Sequence, residues 1–563
     1  MNGWRVGTGI IGVGLLFTLA LAATNPLNAG AIPVPCQPTW EVLDGPNVGD
    51  GNNYLAGVSG TSSTDVWAVG NYEPQLYLPQ TLILHFDGTA WTVLPSPNLG
   101  TVYNYLTGVA AISTKDAWAV GWYQSVGTDP IPLILHWDGT SWTTVPAPEL
   151  SGNGSPLWGV TAISSDDVWA VGAENGGSDT LALHWDGVAW KLVTTPDAGD
   201  SANVLKGVTA VSSTDVWAAG YYYAGADGYK DLTVHWDGST WSVVPGPVLA
   251  GEMILLSIEA AATDDVWAVG ATGSPIESLT GAYAQHWDGK AWAQVPVITE
   301  ELEGFLSGVA VVGTKDVWVS GEQFEFDPGP KESLAEHWDG TSWTAASTLN
   351  VGTGDNTLSA ITALSTDELL SVGSYQDADT GVFRTLIQQM CPVKVRQSGF
   401  SPASINVQRG DTVTWSIPQQ EGDAHTVTDG TRLRLFNSGL RAPGSSFVFT
   451  FVGAGTYRVI DRATGHTMTV RVPIAASPET GGTETEFQIT WAADSAPLGY
   501  VYDVAIRRPG SSVFAAWRTG VTDAHAKFLP DAGPGQYAFR ARMRVKASTA
   551  ASAYSRAVVI LVT

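Results

Sequence analysis

The sequence predicts an all-β protein: a seven-bladed β-propeller followed by two β-sandwich domains. Three observations predict it. A motif of the form Asp-Val-Trp-Ala-Val-Gly recurs at a spacing of 48 to 51 residues, which marks a repeat architecture. Charged residues make up 14% of the 563 residues, while Trp occurs 24 times among 63 Gly and 31 Pro. That composition suits turn-rich strands with large aromatic cores, not helices or a disordered chain. Beyond residue 391 the repeat stops, and short alternating apolar runs replace it.

The elements follow in chain order. Residues 1–31 read as a signal peptide with a short N-terminal segment. Arg5 supplies the positive start, Gly9 to Ala22 the apolar run, and Ala20-Leu21-Ala22 the small-x-small cleavage pattern. The alternative, an uncleaved anchor, has a run short of the ~20 residues a span requires. No later stretch is long and apolar enough to span. The chain is therefore expected to be secreted or held at the cell surface, with no integral span when mature.

Residues 36–391 carry the repeat. Asp65 to Gly70 returns at Asp116, Asp167, Asp215, Asp265 and Asp316, with a worn seventh copy from Asp367 to Gly373. A second motif, His85-Phe86-Asp87-Gly88, returns at His136, His184, His235, His286 and His337, each followed by a Trp. Each unit reads as four strands, the Asp-Gly pair marking a tight hairpin between the third and fourth. The strands are apolar on both faces, which suits a blade packed between neighbours. The seventh unit lacks its fourth strand, and Trp40 to Leu43 has the missing type. The N-terminal strand 40–43 is expected to complete the last blade. Cys36 and Cys391 flank this junction, and in an exported protein they are expected to form a disulfide that staples the ring.

The Gly after the second strand, the aromatic-Asp pair and the following Trp resemble the kelch-like family of propellers, in the Trp-rich form of secreted bacterial proteins. The resemblance implies architecture, since this fold hosts many activities. Residues 392–474 resemble a cupredoxin through Gly410 to Trp415, His425-Thr426-Val427 and Gly455-Thr456-Tyr457. A blue-copper site needs a Cys thiolate, two His and a weak axial Met. The resemblance places His425 as the first His, but Asp461 stands where the Cys belongs, with His466 and Met468 close by. No cofactor is expected. Copper, or another metal on His425, Asp461, His466 and Met468, is the alternative, with the Cys ligand missing. Residues 475–485 read as a linker. Residues 486–563 resemble a fibronectin type III sandwich, Trp491 and Tyr537 matching its core positions.

Charge excludes some partners. Residues 1–390 carry 9 Lys and Arg against 42 Asp and Glu, or −33; the rest carry 18 against 12, or +6, which sums to −27. So acidic a body repels nucleic acid and anionic lipid. The repeated His and Asp are expected to serve the blade, the His bonding backbone at the third-strand edge and the Asp capping a turn. Variation between blades falls on one face, on the second-to-third and fourth-to-first loops. Tyr72, Tyr77, Tyr103, Tyr105, Trp122, Tyr123, Trp158, Tyr221, Tyr222, Tyr223, Phe324 and Tyr375 are expected there, as an aromatic loop face for an extracellular glycan or protein. No catalytic residues are assigned. The function read from the sequence is a secreted or cell-surface, non-enzymatic binding or scaffold protein. The alternatives are a copper-binding electron-transfer protein and an extracellular glycan-active enzyme at the propeller mouth.

Overall fold

Seven four-stranded antiparallel sheets follow one another along the chain and build the propeller. The computed structural model describes residues 39–74, 78–150, 153–275, 278–298, 303–324, 329–346, 348–365, 368–418 and 421–563. The signal-peptide region, Cys36, Tyr77 and Asp367 lie outside the described residues. Blades one to six run over 53–94, 103–144, 157–193, 201–243, 253–294 and 303–346. Blade seven takes its first three strands from Asn356–Ser365, Glu368–Gln376 and Phe383–Met390. Its fourth strand is Glu41–Leu43, paired antiparallel with Gln389 to Ile387. The N-terminal strand thus completes the last blade.

Indole packing explains why Trp is so frequent. The second-strand Trp67 of blade one stacks on its own His85, with centroids 4.1 Å apart, and meets Trp137 and Trp142 of blade two at 5.2 and 5.1 Å. Trp118, Trp169, Trp217 and Trp267 repeat this arrangement around the ring. Trp318 of blade six meets Trp40 edge-on at 6.1 Å, so Trp40 holds the fourth-strand Trp position of blade seven. The apolar cores therefore lie between blades: one cluster joins Trp67 and Ile83 of blade one to Leu106 and Leu133 of blade two. Deleting one such indole should cost about 3–5 kcal/mol.

The first strand of every blade carries a bulge at the same position. Leu55 pairs with Gly70 and Gly57 with Val69, so Ala56 is an extra residue; the same shift recurs in the other six blades. This accounts for the repeated Gly of the first motif. A Cβ on Gly70 would stand 2.0 Å from the Tyr54 carbonyl oxygen, and one on Gly121 2.0 Å from that of Tyr105. The bulge pushes this carbonyl inward, and only Gly leaves room.

Residues 393–472 form a sandwich of a four- and a five-stranded sheet, and 475–562 one of a three- and a five-stranded sheet. The stretch expected as a linker supplies strands instead: Ala475–Ser477 pairs with Phe487–Thr490, and Thr480–Gly481 with Val558–Val562. Its polarity is that of an edge, since both pieces border their sheets. The two sandwiches share one apolar cluster that runs from Val393 to Val562. The first also docks on blade six. Arg441 donates to the Asp339 carbonyl at 3.1 Å and its carboxylate at 2.9 Å, and Ser446 Oγ lies 2.6 Å from His337 Nε2. Among the described residues no helix is long and apolar enough to cross a membrane.

Candidate functional site at the channel mouth

The bulge that shapes each inner strand also aims one side chain into the central channel. Those seven residues are Ala56, Thr107, Trp158, Lys206, Leu256, Ser307 and Ser359, and they line a channel of about 470 Å³. They stand near the start of each inner strand, beneath the variable face. Blades three, four and five break the small-residue pattern with Trp158, Lys206 and Leu256. Lys206 Nζ lies 3.3 Å from the centroid of the Trp158 ring, a cation over the negative face of an indole. Burial pushes the ammonium down to about 8, so it still carries its charge at pH 7.

Glu259 lines the same channel three residues deeper. Burial pushes its carboxyl up to about 8, while the Val311 N–H bonds it and acts the other way. Ser59 takes the equivalent bond from the Ala111 N–H at 3.1 Å, and Thr209 that from Ala260 at 3.3 Å. Glu259 therefore occupies a stitch between neighbouring blades.

The predicted aromatics stand on strand ends rather than loops, because the strands run further toward the variable face than the motifs suggested. Tyr72, Trp122, Tyr123, Tyr221 to Tyr223, Phe324 and Tyr375 end second strands. Tyr103, Tyr105 and Trp158 begin first strands. Of the described members only Tyr223 is exposed; the others are half-buried. They gather blade by blade. Tyr105 packs on Trp122 at 4.6 Å with Tyr103 beside both, and Tyr221 and Tyr223 flank Tyr229 at 5.7 and 5.2 Å. Tyr72 donates to Gln80 at 2.9 Å. Sequence reasoning missed Lys206, Glu259 and Tyr229. Aligning the inner strands on Leu-x-Gly-Val exposes Lys206 as the one Lys at that x.

The repeated His does not bond backbone. Nε2 of His85, His136, His184, His235 and His286 lies 2.8–2.9 Å from the repeated Asp of its own blade, and that of His337 lies at 3.0 Å. The Asp is thus a partner for His rather than a turn cap. The turn cap is the Asp of the second motif: Asp87 Oδ1 accepts from the Thr89 and Ala90 N–H groups. Gly88 follows at φ 88°, a backbone conformation that Gly adopts freely.

In the middle sandwich the structure brings two of the four predicted metal ligands together. His425 Nδ1 lies 2.8 Å from Asp461 Oδ2, and both side chains are buried. Burial acts to raise Asp461, but Thr464, His425 and the N–H groups of Thr426 and Ala463 bond it and hold it at about 2. His466 is exposed, and the Met468 sulfur accepts from Trp415 Nε1 at 3.1 Å. The four do not converge. Among the described residues no group of three or more His, Cys, Asp or Glu could hold a metal ion.

No protein-family model matches the chain, and no curated protein matches it. Solved structures resemble it at low identity and low TM-score. YCF48 bound to a D1 peptide is 15% identical, with a TM-score of 0.41 over 65% of this chain and 98% of that one. An ulvan lyase of polysaccharide lyase family PL25 is 10% identical, with 0.40 over 61% and 95%. The GH74 xyloglucanase from Xanthomonas campestris is 11% identical, with 0.42 over 93% and 81%.

Proposed function

We propose that the chain is a non-enzymatic binding protein of the cell exterior, whose propeller takes an acidic glycan at the channel mouth. The observation that carries this reading is the Trp158–Lys206 pair. An indole presents a flat apolar face to sugar C–H groups. An ammonium without a carboxylate partner among the described residues is ready for a uronate. The body carries −33 and repels anions at long range, so the uronate is held by short-range contact with Lys206, the one cation among the described channel-lining residues.

The accessory domains fit this role. The cupredoxin-like reading of 392–474 is supported by the parallel pairing of Ser404–Asn406 with Thr469 to Arg471 and by Tyr457 Oη donating to the Gly453 carbonyl at 2.6 Å. The fibronectin type III reading of 486–563 is supported by Tyr537, whose hydroxyl donates to the Gly533 carbonyl at 2.9 Å and accepts the Ala532 N–H at 2.8 Å, the tyrosine-corner arrangement. Export on the N-terminal signal and a Cys36–Cys391 bridge belong to the same proposal. A glycosidase of the two-carboxylate kind would need a second carboxyl beside the first; the channel offers Glu259 alone among its described lining residues, whereas Asp231 shares its own cavity with Asp227.

An array of uronate-bearing glycans tests the reading on the full chain. Lys206→Met, a side chain close in kind to Leu256 of the next blade, should weaken binding about tenfold or more. Trp158→Ala should weaken it too. Uronate binding that neither substitution changes, or capture of a protein partner alone, would overturn the proposal.

A further inference from the structure

Four blades close one place on the outer rim with the same polar clasp. It forms between the residue four before the repeated His, or its counterpart in blade seven, and the chain that follows the fourth strand. In blade one the Thr81 N–H donates to Asn98 Oδ1 at 2.8 Å, and Thr81 Oγ1 lies 2.7 Å from Ser96 Oγ. In blade three Thr180 makes the same contacts with Asp197 and Thr195, at 2.7 and 2.9 Å. Ser333 does so with Asn350 at 2.9 Å, and Thr385 with Asn47 at 2.9 Å.

Blade four exchanges both halves of this clasp. Asp231 replaces the Thr, and Gly246 and Val248 replace the partners. The exchange is matched: a Cβ on Gly246 would stand 1.9 Å from Asp231 Oδ2, so the Gly makes room for the carboxylate as it lies here. A cavity of about 850 Å³ opens where the clasp would be, lined by Asp231, Tyr222, Val244, Pro245 and Leu249. Blade two also lacks the clasp, with Pro132 and Ala147 in place, and a cavity of about 700 Å³ opens there. That one has no counterpart of the strand carboxylate. Asp231 Oδ2 is buried and has no hydrogen-bond partner. Gln285 of blade five acts on the same carboxyl. The neighbouring Lys230 Nζ donates to the Gly251 carbonyl at 2.5 Å. A purely structural role would be met by Thr, as in three other blades. Asp231 Oδ2 and Gln285 Nε2 are thus two buried polar atoms left without a well-formed bond beside an open cavity, where a ligand hydroxyl can serve the carboxyl.

We propose that the blade-four cavity is a second saccharide site, taking a neutral sugar whose hydroxyl donates to Asp231 and whose ring lies against Tyr222. Its volume falls within the range of ordinary small-molecule sites. The proposal extends the glycan reading to a cavity that shares no residue with the channel mouth. The probes are cellobiose, lactose, maltose and trehalose, tested on the full chain by saturation-transfer NMR and titration. At least one should bind, and Asp231→Thr should weaken it about tenfold or more, with unchanged near-ultraviolet dichroism of the Trp core. Lys206→Met should leave it unchanged. Failure of all four disaccharides to bind, or equal binding by Asp231→Thr, overturns the rim site without touching the channel reading. Loss in Lys206→Met alone moves the sugar to the channel and also overturns it.

Discussion

Two buried side chains at equivalent places show how a single atom sets a pH response. Gln388 of blade seven donates to the Leu349 carbonyl at 2.9 Å and accepts the Leu349 N–H at 3.5 Å. Glu336 of blade six can only accept while ionised, from the Ile298 N–H at 3.3 Å. Burial pushes its carboxyl up to about 7, and the Ile298 bond acts against this. The unfolded chain releases that proton near 4.5 and the folded chain only near 7. Between these values the native state binds more protons, so stability falls as pH rises through the window. Glu336→Gln removes the loss. The variant should match the native chain near pH 4.5 and exceed it by roughly 2–3 kcal/mol above pH 7. Thermal melts across that range check this, and parallel curves for the two proteins would refute it.

At the scale of the element, the bulge couples a repeated Gly to a variable side chain. Gly121→Ala puts a methyl 2.0 Å from the Tyr105 carbonyl. It should cost about 1–3 kcal/mol by overpacking, read as a lower denaturation midpoint at unchanged slope; a neutral result would mean that the bulge relaxes freely. The turn face has its own special case. His85, His136, His184, His235 and His286 keep 21–30% of their side chains exposed, whereas His337 keeps none, because the sandwich covers it. Arg441→Ala should raise amide hydrogen exchange at 337–342 and 441–446 while leaving the other five turns as they were. Exchange that rises in all six turns, or in none, would show that Arg441 does not hold the dock.

At the scale of the molecule, the closing strand is the critical piece. A chain beginning after Leu43 should melt lower and aggregate, since Phe383–Met390 becomes an unpaired edge; an unchanged melting temperature by calorimetry would contradict this. The seven blades were legible because the period-setting residues Trp67, His85 and Gly88 recur in register. The strand at Trp40 was legible because its type was missing at the other end. The channel cation was not, because Lys206 sits in a strand that looks ordinary until seven copies are aligned. The His–Asp pairing was hidden for another reason. His85 and Asp65 are 20 residues apart, and only the pairing of the second and third strands brings them together. The 475–485 stretch misled because an edge strand and a linker share the same small polar residues.

The seam also sets a timetable. The bond from the Thr385 N–H to Asn47 spans 338 residues, whereas the strands inside a blade meet within a few tens of residues. Loop closure over such a separation is entropically costly, and such distant contacts form slowly. Blades one to six can assemble as the chain lengthens, but the first-made strand must wait for the last-made sheet. Until then it has no place in the molecule. The same residues that lock the finished disc are the ones left loose for longest while it is being made.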